Sequence, residues 1–487
     1  MRFFLLTVIM SAMVACQMRK WTLLDVSVVV LTGSAAPKDR LADKSADKMF
    51  GDVSPDTLLY SGKRQMYLLG KVFRKEFSSY LGSTNEKSQI NFRTLNTLPG
   101  LMSSWALSLS LTPDFDKLET PYTTERAKPR FADNTPQIAT YDSPLPGRDS
   151  IKNISYSAFD DTDYLFQLSS LYACPNLNIR IVGREIKRIS AKFRFEDSYK
   201  KVSDYIDFQE SRLLNTSSRL YRASRLFEYV EAMHFAALDN SFPADSQEYR
   251  DLEISHQAYI TTIFADRDTL NLMNSPIFNL IKANIEGAKN RSTIDIKTSN
   301  KLSVYVAHKK FVLGILIFLG LYTPECSYRP YIDGSPPPAD CLEFPKPGAS
   351  IIFEFYREDF GTDIIPAFSN YWIRIRYNGK TVNVHDNGNG VSNQNGYMEW
   401  NDFNALLESK LVKNWEEECG LGGLTDSMSL RSTSKKWVGL LLVFNVLVFL
   451  LLGRVIICLK FFGKSINPDE KPEKDKLPNI PLQEPLN

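Results

Sequence analysis

Histidine is what this chain has least of. Four occur in 487 residues, scattered as His234, His256, His308 and His385, and no His/Cys group has metal-ligand spacing. A metal centre is therefore not expected. An excess of either charge is also missing. The 58 Lys and Arg stand against 56 Asp and Glu, so no domain-wide basic field argues for nucleic acid. Internal repeats are absent, which excludes a solenoid. Gly and Pro are at ordinary levels, so most of the chain is expected to fold. Its length suffices for one large or two medium domains.

The two ends are less ordinary. "MRFFLLTVIMSAMVAC" has a basic residue, Arg2, and then an apolar stretch rich in small side chains. This is the layout of a secretory signal peptide, assigned to 1–16, and the stretch is short for a membrane span. Trp437 to Leu459, "WVGLLLVFNVLVFLLLGRVIICL", reaches the roughly 20 apolar residues that a bilayer requires. Asn445 lies inside it, and Arg454 lies where a long side chain can snorkel. The expected product is a type I single-pass protein of the secretory pathway, at the cell surface, the lysosome or another endomembrane. Its ectodomain is luminal or extracellular, followed by a stalk (420–436), the span (437–459) and a cytoplasmic tail (460–487). In that oxidising compartment Cys16 leaves with the signal peptide and Cys458 lies in the span. Cys174, Cys326, Cys341 and Cys419 remain, an even number with three connectivities. Sequons begin at Asn153, Asn215 and Asn290, and glycosylation is expected.

Along the ectodomain, Trp21 to Val30 is a hydrophobic run of the kind buried on both faces of a parallel sheet. It stops in "LTGSAAP", Leu31 to Pro37, which has the outline of a catalytic loop but holds no His, Arg, Asp or Cys. "SGKRQMYLLGKVFRKEFSSYLG" is an amphipathic helix, with Met66, Leu69, Gly70, Phe73 and Phe77 at helical spacing. "INFRTLNTLPGLMSSWALSLSL" reads as strand, turn and helix, which suggests right-handed βαβ units. A loop follows from about Asp114 to Gly147, and the pattern turns helical from Tyr164 to Glu286. "KLSVYVAHKKFVLGILIFLGLY" returns to a buried strand and an apolar helix. "SIIFEFY" and "YWIRIRYNGKTVNV" read as strands with a hairpin turn at Asn378-Gly379 and one wet face. "EWNDFNALLESKL" reads as a last helix.

In this order, the segments resemble the histidine acid phosphatases, the branch of the histidine phosphatase superfamily that includes lysosomal and prostatic acid phosphatases. "SGKRQMYLLGKVFRKEF" is similar to that family's "G…RQ.YLLG…R" helix. "FRTLNTLPGLMSS" is similar to its "RST…RTLMSA" segment, and "VYVAHKKFVLGILIFLGLY" to its "SAHD" strand and helix. "PGASIIFEFY" and "YWIRIRYNG" resemble its late strands. The resemblance implies an α/β fold: a mostly parallel sheet with helices on both faces, with the core at 21–163 and 287–419. A helical cap is expected at 164–286, and one transmembrane helix follows the ectodomain. It also implies a long-range bridge, Cys174 to Cys419. That leaves Cys326 with Cys341, a short Pro-rich loop that departs from the family pattern. No cofactor is implied.

The family's chemistry uses R-H-G-x-R-x-P at the end of the first strand. The His attacks phosphorus, three Arg and a second His hold the phosphate oxygens, and the Asp of "HD" protonates the leaving group. Laid on this chain, the motif falls on Leu31 to Pro37. Gly33 and Pro37 survive. The nucleophile position is Thr32, the two Arg positions are Leu31 and Ala35, and the acid is Lys309. Arg93 and His308 keep the third Arg and the second His. No R-H-G occurs anywhere in the chain. Lys38 and Arg40 follow the loop. His385-Asp386 is an "HD" pair far from the family position, on a polar loop. His234 is read as a packing or hydrogen-bonding residue, and His256 has no motif around it. The first reading is therefore a membrane-anchored pseudophosphatase that binds a phosphate-like anion or a protein ligand. In the anion case Arg93, His308 and Lys309 form the residual site. An acid phosphatase with a rewired site and a structural surface glycoprotein are the alternatives.

Overall fold

A computed structural model describes residues 20–37, 56–81, 90–95, 97–111, 154–159, 174, 179–192, 195–206, 219–236, 242–290, 301–339, 341–360, 368–386, 389–390 and 396–420. All belong to one compact unit, Met1–Leu421. The signal peptide, the span, the tail, nearly all of the stalk, Lys38, Arg40, Asn153 and Asn215 lie outside the described residues. No described helix is long and apolar enough to cross a membrane. Asn290 is described, as the exposed C-terminal cap of a long helix.

In chain order the elements are β1 (Lys20–Leu31), α1 (Tyr60–Glu76), β2 (Ile90–Leu95), α2 (Leu98–Leu111) and β3 (Ile154–Phe159). The helices α3 (Ile179–Ser190), α4 (Glu196–Tyr205), α5 (Arg219–Ala236), α6 (Gln247–Ile263) and α7 (Arg267–Lys289) follow. Then come β4 (Leu302–Ala307), α8 (Lys309–Phe318), β5 (Ser350–Phe360), β6 (Phe368–Tyr377), β7 (Lys380–Thr381), β8 (Tyr397–Glu399) and α9 (Trp400–Lys410). One sheet takes the order β8-β6-β5-β1-β4-β2-β3, with β7 paired to β6. Strands β1, β4, β2 and β3 run parallel, and β5, β6 and β8 extend the sheet antiparallel from β1. Strand β4 lies between β1 and β2, so the chain passes over its place and fills it later. β3 was not legible beforehand: a short, polar-alternating edge strand gives little hydrophobic signal.

The β-branched run of β1 is buried on both faces because successive side chains alternate. Val26, Val28 and Val30 face α1 and α2, where they meet Met66, Phe73, Met102 and Leu107. Val29 and Leu31 face the opposite core, shared with Ile277, Phe278 and Ile281 of α7 and Phe311 and Ile315 of α8. Helices α3 to α6 have a core of their own, including Ile189, Val202, Phe227, Val230 and Leu252. Within the stretch read as a helical cap, α7 thus differs from α3 to α5: its apolar face completes the core against the sheet, and α6 contributes to both, with Ile260 in the sheet core and Leu252 in the helical one.

The Asn378-Gly379 turn is as read, with φ of 47° and 79° at the two central residues of a two-residue hairpin. The polar face of β5 and β6 is not wet throughout. Glu354 is 1% exposed and pairs with Arg374 and, at 2.7 Å, with Arg376, which also reaches Glu76 at the end of α1. Trp21, Tyr356, Trp372 and Tyr397 pack their rings beside this ladder. Charges that alternate along one strand cancel against the next, which is a matter of register.

Both expected disulfides are present, Cys174–Cys419 and Cys326–Cys341. The first closes a separation of 245 residues, and in the chain-entropy model such a closure removes about 5 kcal/mol of unfolded-state freedom. Cys419→Ser is expected to lower unfolding free energy by several kcal/mol, roughly 3 to 5. Urea unfolding under non-reducing conditions measures this, and Cys341→Ser is expected to cost less because its loop is shorter.

Candidate functional site

The loop after β1 is held by backbone contacts that only glycine permits. A Cβ on Gly33 would lie 2.5 Å from the Gly62 carbonyl oxygen, and one on Gly62 would lie 2.1 Å from that of Ser34. The start of α1 therefore rests directly on the loop. The Leu59 amide donates to the Ser34 carbonyl (2.9 Å), and Ala36 donates to Thr57 (2.8 Å). The remaining polar groups are held from the two helices behind. Gly33 N–H donates to Ser103 Oγ (3.1 Å), and Ser34 donates from both its amide (3.1 Å) and its hydroxyl (3.0 Å) to Gln65 Oε1. Ser103 and Gln65 belong to the "LMSS" and "RQ" segments that carry the resemblance. They support the loop, a role the sequence reading did not give them.

Thr32, to which the resemblance assigns the nucleophile position, is fixed by its backbone. Its amide donates to the Ala307 carbonyl (3.1 Å), and its carbonyl accepts from Gly348 (3.3 Å). Among the described residues no histidine or carboxylate is hydrogen-bonded to its hydroxyl. Leu31 is 3% exposed and is part of the core with Tyr305, Ala307 and Phe311. Ala35 bridges to Leu58, and Ala36 packs with Leu59 and with Ala232 and Phe235 of α5. Small apolar residues thus close the loop against a helix of the helical region.

His308 caps the N-terminus of α8 directly after β4, and it is exposed. Arg93 lies deeper. It pairs with Tyr305, two residues before the end of β2, which places its backbone about 10 Å short of the His308 level at strand rise. Its positive charge is felt at Tyr305, whose hydroxyl is pushed up to about 12, mainly by burial. His308 and Arg93 both have further interactions, so neither is idle.

Lys309 is the most informative member. Its ammonium is 2.7 Å from both carboxylate oxygens of Glu231 on α5. The two side chains are 15% and 14% exposed. Phe227 and Phe344 flank the ammonium with their ring faces, at 5.8 and 5.7 Å. Behind it, Glu228 and Arg225 pair at 2.5 Å, and Lys310 lies over the Tyr259 ring. Burial pushes Glu228 and Glu253 up and Lys310 down. Glu231 was missed from sequence, although Ser224, Phe227, Glu228, Glu231 and Phe235 share one face of a helix at helical spacing. Two acids, Glu228 and Glu231, on a stripe with Phe227 and Phe235 were the available signal.

His256 is 2% exposed and bonds through Nδ1 to Ser224 Oγ at 2.9 Å. Burial holds it well below the usual histidine range, and the charges of Lys309 and Lys310 push it the same way. His234 is exposed and packs on Phe235 and Tyr249. His385-Asp386 pairs with Asn389–Gly390 in a separate two-stranded piece. No group of three or more His, Cys, Asp or Glu among the described residues is placed to hold a metal ion.

No family model and no curated protein sequence matches this chain. Solved structures do. A multiple inositol polyphosphate phosphatase from Bifidobacterium longum, in complex with phosphate, superimposes with a TM-score of 0.52 at 10% identity, covering 83% of this chain and 96% of its own. Its complex with inositol hexasulfate gives the same values. The two chains share a fold. A phytase from Hafnia alvei, in complex with myo-inositol hexakis sulphate, is similar at a TM-score of 0.48 and 13% identity over 81% of this chain and 98% of its own. The α/β class expected from the resemblance is the one that the central sheet and its helices show.

Neutral His256 makes stability depend on pH with a definite sign. An imidazole kept neutral by the fold contributes stability above the unfolded value of about 6.5 and loses it as pH falls below that, by at most about 1.4 kcal/mol per pH unit. Glu228 and Glu253 oppose this, because raised carboxyls favour the fold on the acid side. Urea unfolding at pH 7 and pH 5 isolates the histidine. His256→Gln is expected to be less stable than wild type at pH 7, with a smaller loss between the two pH values.

Proposed function

We propose that this chain is a membrane-anchored member of the histidine phosphatase superfamily that does not hydrolyse phosphate monoesters and acts by binding. The observation that carries the reading is the Lys309–Glu231 ion pair. The resemblance gives position 309 to the acid that would protonate the leaving oxygen, and here it is a lysine engaged by Glu231. The hydrogens of the Lys309 ammonium are directed to that carboxylate. The nucleophile position supports the same reading, because a threonine hydroxyl without a base beside it is a weak nucleophile. Leu31 and Ala35 supply none of the charge that stabilises a phosphoryl transition state.

Within the binding reading, the anion alternative depends on Arg93 and His308, since the Lys309 charge is offset by Glu231. A protein ligand makes no such demand on the strand ends. The luminal orientation follows from the signal-peptide pattern and agrees with the two disulfides, which suit an oxidising compartment.

Purified protein assayed with an aryl phosphate from acid to neutral pH is expected to show no turnover above background, with no trapped phosphoenzyme. Loss of a catalytic unit costs about 10⁴- to 10⁶-fold in kcat elsewhere, so turnover typical of acid phosphatases would sink the proposal.

The topology is tested separately. Endoglycosidase is expected to shift mobility, and protease added to intact vesicles is expected to remove only the segment after about Lys460. Digestion of the large domain with protection of the tail would reverse the orientation.

A further inference from the structure

At the C-terminal ends of parallel strands, an open α/β sheet offers ligands a crevice, and a helix that starts there presents unsatisfied backbone N–H groups to an anion. Helix α8 starts in this way directly after β4. It has no acidic residue in its first turn and begins with two lysines, Lys309 and Lys310. Both run against the helix dipole, so the position calls for negative charge from elsewhere. That charge comes from α5. Glu231, 78 residues upstream, places both carboxylate oxygens 2.7 Å from Lys309 Nζ. Phe227 and Phe344 wall the ammonium in, and Ala232, the next residue of α5, packs on Ala36 of the loop. The same turn of α5 therefore closes the loop and neutralises the cation.

We propose that Glu231 is a built-in anion: its carboxylate occupies the cationic position at the start of α8 and keeps phosphate and sulfate out. This rests on the reading that Lys309 stands at the former proton-donor position. Other charged groups face the pair as well. Glu228 and Arg225 come from α5, Glu253 and His256 from α6, Lys310 from α8, and Glu343 with Lys346 from the segment before β5. Arg225 and Lys346 are themselves paired, with Glu228 and Glu343, so a free anion would have to displace Glu231 against a short, partly buried pair. Such a pair is hard to separate, because removal of either partner leaves a poorly solvated charge.

The test uses the full-length protein in detergent, titrated calorimetrically with phosphate, sulfate and tungstate. Wild type is expected to show no saturable binding at millimolar concentration. Glu231→Gln keeps the shape of the side chain, and is expected to gain saturable binding at least about tenfold tighter than any wild-type response. The double variant Glu231→Gln/Lys309→Gln is expected to lose that gain. The proposal is overturned if folded Glu231→Gln gains nothing, if wild type binds as tightly, or if the double variant binds as well as the single one. Should Glu231→Gln fail to fold, the wild type decides. With isotope-labelled lysine, the Lys309 ammonium resonance is expected to stay in place when phosphate is added, and a saturable shift overturns the proposal. An aryl phosphate assay on the same Glu231→Gln sample separates the two ideas. Anion binding with hydrolysis would overturn the non-hydrolytic reading and leave the built-in anion standing. Neither binding nor hydrolysis would do the reverse.

Discussion

The end of β1 and the start of α1 meet backbone to backbone, and the loop between strand and site depends on that contact. Gly33 and Gly62 leave no room for a Cβ on either side. The approach lets Leu59 donate to Ser34 and brings Gln65 and Ser103 within reach of the loop amides. A loop fixed in this way keeps its shape through its backbone, and the glycines meet a steric requirement that is independent of any side-chain chemistry in the loop.

The apolar character of the loop has a counterpart in the helix that packs on it. With an arginine at position 31 or 35, the strand ends would carry cations that call for a bound anion. Leucine at 31 joins the apolar core, and the alanines at 35 and 36 fit against Leu58 and against Ala232. The lysines that open α8 are matched by glutamates of α5. Lys309 is thus paired with Glu231, and Glu228 is shared between Arg225 and Lys310.

Much of the fold was legible because its elements have strong local patterns. β1 and β4 are continuous apolar runs, α1 has its buried side chains at helical spacing, and Asn378-Gly379 is a turn signal that needs no context. What escaped depends on partners distant in sequence. The charges of β6 read as solvent-facing, yet Arg374 and Arg376 find Glu354 only once β5 and β6 are in register. β3 has too little hydrophobic contrast to announce itself. In the site, the loop, His308 and Lys309 could be placed from sequence because they follow strands. Glu231 could not, since its contact spans 78 residues. The depth of Arg93 depended on pairing with Tyr305, which no local pattern encodes.

The Cys174–Cys419 bond also has a mechanical meaning. Cys419 lies at the end of the compact unit, just after the short helix Trp415–Glu418, whose Trp415 indole donates to the Leu272 carbonyl. Tension applied to the chain beyond it would otherwise fall on those few non-covalent contacts and peel the terminal helix away. The covalent bond diverts the load to Cys174, 245 residues upstream, so two distant parts of the chain share the pull. For a domain held by its C-terminus, that bond sets the point at which traction enters the fold.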